Sequence, residues 1–182
     1  MKYYQALFLH DPYIRVSPLY NIITIFDSTQ YERQDYDVLG KPQRQYILKR
    51  LLETDHKQQT GNLVANTKSG QRLCFVKNAR LAISPLENLL NIYNHDDIFI
   101  VTPSCYFLFL LNKLERFKDE TIKEEIYNLI KVHPVNLEQS LHFSKHTQIE
   151  DLIKEHYSSF KEIQGNAIKT ELSGKQPLGS HG

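Results

Sequence analysis

A cluster of basic side chains is the set of residues in this sequence best suited to chemistry with a partner. Residues 38–86 contain nine basic and two acidic residues, which gives this segment a net charge of +7. Such side chains bind phosphate groups or an acidic protein surface, because these contacts require only positive charge and reach. The candidate binding residues are Lys41, Arg44, Lys49, Arg50, Arg72, Lys77 and Arg80. The alternative is a solvated face that the acidic C-terminal helices of the same chain balance.

No recognised nucleic-acid motif accompanies these charges. The spacing of a helix-turn-helix, the pattern of a zinc finger and the aromatic-plus-basic signature of an RNA-binding sheet are all missing. The sequence also has neither a P-loop nor a GxGxxG motif, and its seven glycines leave little material for a phosphate cradle. We therefore predict no cofactor, and we rank binding of nucleic acid behind binding of a protein.

Three other residues are the candidates for catalysis if the chain is an enzyme. Cys105 lies at the predicted start of a helix, where the helix dipole would favour its thiolate. His95 and Asp97 follow a predicted helix and could act as acid and base. However, no glycine-rich elbow surrounds Cys105, and Pro103 occupies the place of an oxyanion loop. A buried structural cysteine is the favoured interpretation, and we do not expect an enzyme.

A second group of polar residues has the spacing of a metal site. Glu138, His142, His146 and Glu150 recur every four residues, and two histidines with this spacing can bind zinc from one helix. However, Thr147 and Glu150 have the spacing of a capping box, which predicts a new helix after His146 and breaks the stripe. We therefore predict no metal site.

The elements that position these residues are organised around junctions of a hydroxyl residue and a proline. Residues 16–27 and 83–94 are identical at five of twelve aligned positions, including Ser17-Pro18 and Ser84-Pro85. A serine caps the first turn of a helix and a proline suits its first position, which predicts helices over 18–26 and 85–94. Thr102-Pro103 repeats the device and predicts a very apolar helix over 104–117.

The remaining patterns predict short strands and further capped helices. Residues 27–36 and 54–61 are polar and lack a period, which predicts loops. Helices are expected over 42–53, 120–131, 134–143 and 148–163. Strands are expected over 2–9, 13–16, 36–39, 62–66, 71–76, 80–83 and 98–101. The fold class is therefore α+β, a small mixed sheet with capped helices and a C-terminal helical segment.

The echo of the two serine–proline junctions permits an internal duplication of a β-β-α-β-α unit. Its copies would span residues 3–53 and 71–115, and the alternative is coincidence, because this junction chemistry is general. The predicted domains are an α/β core over 1–117, C-terminal helices over 118–163 and a flexible tail over 164–182.

Composition and length restrict the class of protein. The most apolar window, residues 98–111, has 14 residues and is too short for a membrane span, which needs about 20. Cys74 and Cys105 both lie in apolar runs, which favours buried free thiols in a reducing compartment. We expect a cytoplasmic, non-catalytic protein–protein interaction module such as an adaptor, chaperone or inhibitor subunit. The alternatives are a nucleic-acid-associated factor that uses residues 38–86 and an enzyme of unrecognised type.

Overall fold

The computed structural model describes residues 1–27, 38–76, 96–172, 174, 175, 177 and 178. Within these residues, six strands form one mixed sheet in the order β1–β2–β6–β5–β4–β3. The strands are β1 (Ile14–Val16), β2 (Ile22–Ile25), β3 (His56–Thr60), β4 (Leu63–Asn66), β5 (Arg72–Phe75) and β6 (Ile98–Val101). β6 is parallel to β2 and β5, whereas β1, β4 and β3 pair antiparallel at the two sides.

Helices cover both faces of this sheet, and the predicted α+β class is confirmed. The described helices are α1 (Lys2–Leu7), α2 (Lys41–Leu52), α3 (Pro103–Phe117), α4 (Glu120–Val132), α5 (Leu137–Phe143) and α6 (Gln148–Ala167). A single π-helical turn, Ile168–Leu172, continues α6. One apolar core lies between the sheet and α1 and α2, and the other lies between the sheet and the helices from α3 to α6.

The central strand β6 contributes to both cores, as its continuous apolar run predicts. Ile98 and Ile100 pack towards α1 and α2, whereas Phe99 and Val101 pack towards the C-terminal helices. None of the four side chains is more than 1% exposed.

The helix predicted after Thr102-Pro103 is confirmed together with its cap. Thr102 Oγ1 accepts a hydrogen bond from the backbone N–H of Cys105 at 3.2 Å, and Pro103 is the first residue of α3. Residues 103–111 are all buried, because α3 lies between the sheet and the other C-terminal helices. Asp119 caps α4 in the same way by accepting from the N–H of Thr121.

The helix predicted over residues 18–26 is wrong. Ser17 Oγ accepts hydrogen bonds from the N–H groups of Leu19 and Tyr20, as a cap does, but the chain then turns into β2. Ile22–Ile25 is made entirely of β-branched residues, which favour strands. Pairing with β1 and β6 completes the strand. The second junction, at Ser84 and Pro85, and the predicted strand over 80–83 lie outside the described residues.

Three further segments differ from prediction. Residues 2–7 form α1 instead of a strand, because Tyr4 and Phe8, four residues apart, both turn towards the core.

The connector predicted over 54–61 contains β3, whose residues 57–60 are exposed and therefore show no apolar alternation. Its pairing with β4 supplies the main-chain hydrogen bonds instead. Of the strand predicted over 36–39, residues 38 and 39 are not in a strand and the rest lies outside the described residues.

The internal duplication is not confirmed. The first junction leads into a strand, and Phe8, which follows a helix, aligns with Phe75 in strand β5 when the two junctions are superposed. At the other end of the chain, α6 continues to Ala167, beyond its predicted end at residue 163. Lys175 Nζ then donates to the carbonyl oxygen of Pro12 at 3.1 Å. The division into core, C-terminal helices and flexible tail stays a prediction.

Candidate functional site

The basic residues proposed from the sequence have different environments, and Arg44 is the first of three that bond within the fold. Its Nη2 donates to the carbonyl oxygen of Gly61 and, at 2.9 Å, to Oδ1 of Asn62. The guanidinium also lies 4.6 Å from the ring centroid of Phe75. Partial burial lowers the pKa of this group. Arg44 therefore ties α2 to the β3–β4 turn and to β5.

Arg50 and Arg72 pair with carboxylates. Arg50 Nε lies 3.3 Å from Oδ2 of Asp11, a side chain that is only 1% exposed. Arg72 binds Asp97 with two hydrogen bonds, from Nε at 2.9 Å and from Nη2 at 2.5 Å. Asp97 is 3% exposed, so Arg72 neutralises a buried charge at the start of β5 and β6.

The side chains of Arg44 and Arg72 lie on different faces of the sheet. Arg44 packs on Phe75, at the end of β5 and on the face that α1 and α2 cover, whereas Arg72 starts the same strand and alternates to the other face. Lys41 and Lys49 are exposed on α2, and Lys77 and Arg80 lie outside the described residues. Binding of an acidic or phosphate-bearing partner by this set stays a prediction.

A buried polar network that the sequence did not reveal joins β1, α3 and α4. Arg15 donates to both carboxylate oxygens of Glu125, at 2.8 and 2.7 Å. The Tyr106 hydroxyl donates to Oε1 of the same carboxylate at 3.0 Å, and it lies 2.5 Å from Ser17 Oγ. Burial is the main cause that raises the pKa of Tyr106, and the carboxylate of Glu125 adds to it.

His133 adds a contact with β2 to this network. Its Nδ1 lies 2.9 Å from Thr24 Oγ1, and its ring stacks on Phe26 with 5.7 Å between centroids. Burial, followed by the charges of Arg15 and Lys175, lowers the pKa of His133 well below its usual range, so the imidazole is neutral. The groups of this network are bonded to one another and enclosed, which suits stabilisation of the fold and not reaction with a substrate.

A second buried histidine, His56, connects α1 to the α2–β3 turn. Its Nε2 lies 3.0 Å from the Tyr4 hydroxyl, and its Nδ1 lies 2.7 Å from Thr54 Oγ1. Because the Thr54 hydroxyl donates to the carbonyl oxygen of Leu51, it accepts the proton on Nδ1, and Nε2 accepts from Tyr4. Burial lowers the pKa of His56 and raises that of Tyr4 to about 12.

The residues named as catalytic candidates are enclosed where the structure describes them. Cys105 is 1% exposed within the core that α3 shares with the C-terminal helices. Asp97 is held by Arg72, and His95 lies outside the described residues. Neither cysteine forms a disulfide and both are buried, as predicted, and burial raises the pKa of Cys74 to about 11.

The histidine stripe is broken at the predicted place. His142 is in α5, whereas His146 has a left-handed backbone with φ of 65° and its N–H donates to Glu150 Oε2. Within the described part of the chain, no group of three or more His, Cys, Asp or Glu side chains has the arrangement of a metal site.

Aromatic and basic groups of α3 and of the β1–β2 turn contact one another, and we name them the aromatic–basic face: Tyr20, Phe109, Lys113, Arg116 and Phe117. Phe109 is 2% exposed and forms the base of this face, whereas Arg116 and Phe117 are exposed at its end. The rings of Tyr20 and Phe109 are perpendicular, with 5.0 Å between centroids. Lys113 Nζ lies 5.2 Å from the centroid of Phe109 and 5.7 Å from that of Phe117. Arg116 lies 5.3 Å from the Phe117 centroid. Phe117 itself is 57% exposed.

The aromatic–basic face was not predicted from the sequence, although the spacing of three of its residues is visible there. Phe109, Lys113 and Phe117 recur every four residues and therefore share one side of any helix that contains them. The contribution of Tyr20 depends on the β1–β2 turn, which the sequence did not predict.

Comparisons with family models, curated proteins and solved structures gave no match, so no relative informs the function of this site. In the described residues, no helix has both the length and the apolar content that a membrane crossing requires.

Proposed function

We propose that this chain is a non-catalytic protein–protein interaction module of the adaptor, chaperone or inhibitor type, which binds its partner through the aromatic–basic face. The observation that carries this proposal is Phe117, exposed at 57% and flanked by the cations of Lys113 and Arg116. Aromatic and arginine side chains dominate the binding free energy of protein interfaces. Leu19, 43% exposed beside Tyr20, enlarges the apolar area.

The chemistry of this face favours a protein segment with both apolar and acidic side chains. An apolar side chain would cover Phe117, and a carboxylate would pair with Arg116. A nucleic-acid backbone fits less well, because Glu115, Asp119 and Glu120 lie at the same end of α3 and would repel phosphates. Glu115 pairs with Lys118 at 3.5 Å, which further reduces the positive charge available.

The test is site-specific photo-crosslinking in the native host. A photoreactive phenylalanine at position 117 is expected to give one protein adduct, and the same group at Phe143, which is 40% exposed on α5, is expected to give none. The purified adduct partner should then bind the chain with an affinity that Phe117→Ser lowers about thirtyfold or more, because an interface hot spot contributes 2 kcal/mol or more.

Three outcomes would overturn the proposal. Adducts with nucleic acid at position 117 would favour the nucleic-acid alternative. Equal adducts from positions 117 and 143 would indicate non-specific contact. A purified partner that binds the Phe117→Ser variant as well as the natural chain would move the interface elsewhere.

A further inference from the structure

A pocket of about 320 Å³ lies between the start of α5 and the last turns of α6. Val135, Leu137 and Ile168 form its apolar part, and Val135 is completely buried. Small-molecule sites in proteins begin at about 300 Å³, so this pocket suits a small metabolite and not a nucleotide. It shares no residue with the aromatic–basic face.

The floor of the pocket, formed by the residues just before α5, is held in place by hydrogen bonds to two helices. The N–H of Val135 donates to Gln164 Oε1 on α6 at 2.8 Å. The N–H of Asn136 donates to Ser104 Oγ on α3, also at 2.8 Å. A site that is rigid before a ligand arrives loses less entropy when it binds.

The rim presents opposite charges to a ligand. The Tyr157 hydroxyl donates to Glu138 Oε1, and Lys161 Nζ lies 5.7 Å from the centroid of the Tyr157 ring. Among the described residues, neither Glu138 Oε2 nor the Lys161 ammonium has a charged partner. Because Gln164 Oε1 is already bound, Nε2 is the amide atom that remains to donate.

Gly165 and Ile168, at and just beyond the last turn of α6, both line the pocket. Gly165 lines it, and a Cβ added there would meet no atom within 4 Å. A larger side chain therefore has room at position 165. Ile168 both lines the pocket and begins the π-helical turn, a distortion that is found frequently at functional sites.

We propose that this pocket binds a small zwitterion with a compact apolar body, that is, a free aliphatic amino acid. Its carboxylate pairs with Lys161, its ammonium group pairs with Glu138 Oε2, and its side chain contacts Val135, Leu137 and Ile168. Gln164 Nε2 donates a further hydrogen bond to the carboxylate. This binding is independent of the protein partner proposed above, because it involves different residues.

The test is calorimetric titration of the full chain with L-leucine, L-leucinamide and N-acetyl-L-leucine. Leucinamide lacks the carboxylate and the acetylated form lacks the ammonium group, so each should bind about tenfold or more weakly than leucine. Lys161→Gln should abolish the preference for leucine over leucinamide. Lys154→Gln, a lysine on α6 that pairs with Glu150 outside the pocket, should leave this preference unchanged.

Filling the pocket supplies the matched geometric control. Gly165→Leu should abolish binding, whereas Asn166→Leu places the same side chain at the exposed neighbouring position and should leave binding intact. Thermal unfolding shows whether both variants fold. If Gly165→Leu does not fold, the preference of Lys161→Gln for leucine over leucinamide tests the proposal instead. The proposal is overturned if the three ligands bind equally, if Gly165→Leu binds normally, or if leucine and valine both give no heat at millimolar concentrations.

Discussion

Arg15 on β1 and Glu125 on α4, 110 residues apart in the chain, form a two-pronged ion pair with side chains 15% and 3% exposed. Because both groups are largely removed from water, loss of one partner leaves the other as an uncompensated charge. We expect Arg15→Ala and Glu125→Ala each to lower the free energy of unfolding by about 3 kcal/mol, measured by urea denaturation.

Two controls separate this pair from ordinary surface charge. Lys154→Ala, which breaks an exposed pair with Glu150, should change stability little. The double variant Arg15→Met with Glu125→Leu should be more stable than either alanine variant, because it leaves no unpaired charge. Equal effects from Arg15→Ala and Lys154→Ala would contradict the structural role.

His133 predicts a loss of stability in mild acid. The pKa of His133 in the folded chain is well below the usual 6.5. At a pH between these two values, the unfolded chain therefore binds a proton that the folded chain does not. The contribution of neutral His133 to the free energy of unfolding should therefore be fully present above about pH 6.5. It should decrease as the pH falls towards the pKa of the folded chain.

The comparison that isolates this effect is His133→Gln. His56, whose pKa is also lowered, titrates in the same direction, so only the difference between the natural chain and the variant reports on His133. That difference in stability should shrink as the pH falls below 6.5, measured by denaturation at several pH values. A difference that is constant with pH would refute the assignment.

Both cysteines are predicted to be unreactive while the chain is folded. Cys105 is 1% and Cys74 is 3% exposed, and burial raises the pKa of Cys74 to about 11. Thiol reagents at pH 8 should label neither residue at an appreciable rate, and both should react once the chain is unfolded in urea. Rapid labelling of Cys105 in the folded chain would instead revive the enzyme alternative.

The basic residues divide into those that stabilise the fold and those that are available to a partner. Arg72→Gln should lower the free energy of unfolding by about 2 kcal/mol, because buried Asp97 loses its cation. Lys41→Ala and Lys49→Ala should each change it by less than about 0.5 kcal/mol, since both are exposed. Urea denaturation of the three variants measures this division.

Retention on nucleic acid at low salt tests the alternative function of the same segment. We expect the chain to show none. Retention that falls steeply with salt and disappears in the Lys41→Glu, Lys49→Glu variant, in which both changed residues are exposed, would support binding of a phosphate backbone instead.

The sequence predicted elements whose signal is local. Thr102-Pro103 specifies its helix through one hydrogen bond to Cys105 and a preset backbone angle, and both are encoded within four residues. Ser17-Pro18 carries the same signal, and the serine makes the same kind of bond. However, Ile22–Ile25 then pairs with a strand more than seventy residues away, and tertiary pairing overrides the local preference.

The parts that were missed depend on contacts distant in the chain. β3 has polar, exposed side chains and is a strand only because β4 pairs with it. The ion pair of Arg15 with Glu125 and the hydrogen bond between Thr24 and His133 form only when α4 has packed against the sheet. Of the basic set, the sequence showed the charge of Arg44 and Arg72 but not Gly61 and Asp97, the partners that bind them.

The place of β6 between β2 and β5 has a consequence for biosynthesis. The middle strand leaves the ribosome after both of its neighbours, so the main-chain edges of β2 and β5 that pair with β6 stay open until residue 101 has emerged. Such exposed strands associate readily with one another. We therefore expect the sheet to close only after β6 has been translated, and a chain cut short before β6 to aggregate more readily than the full chain.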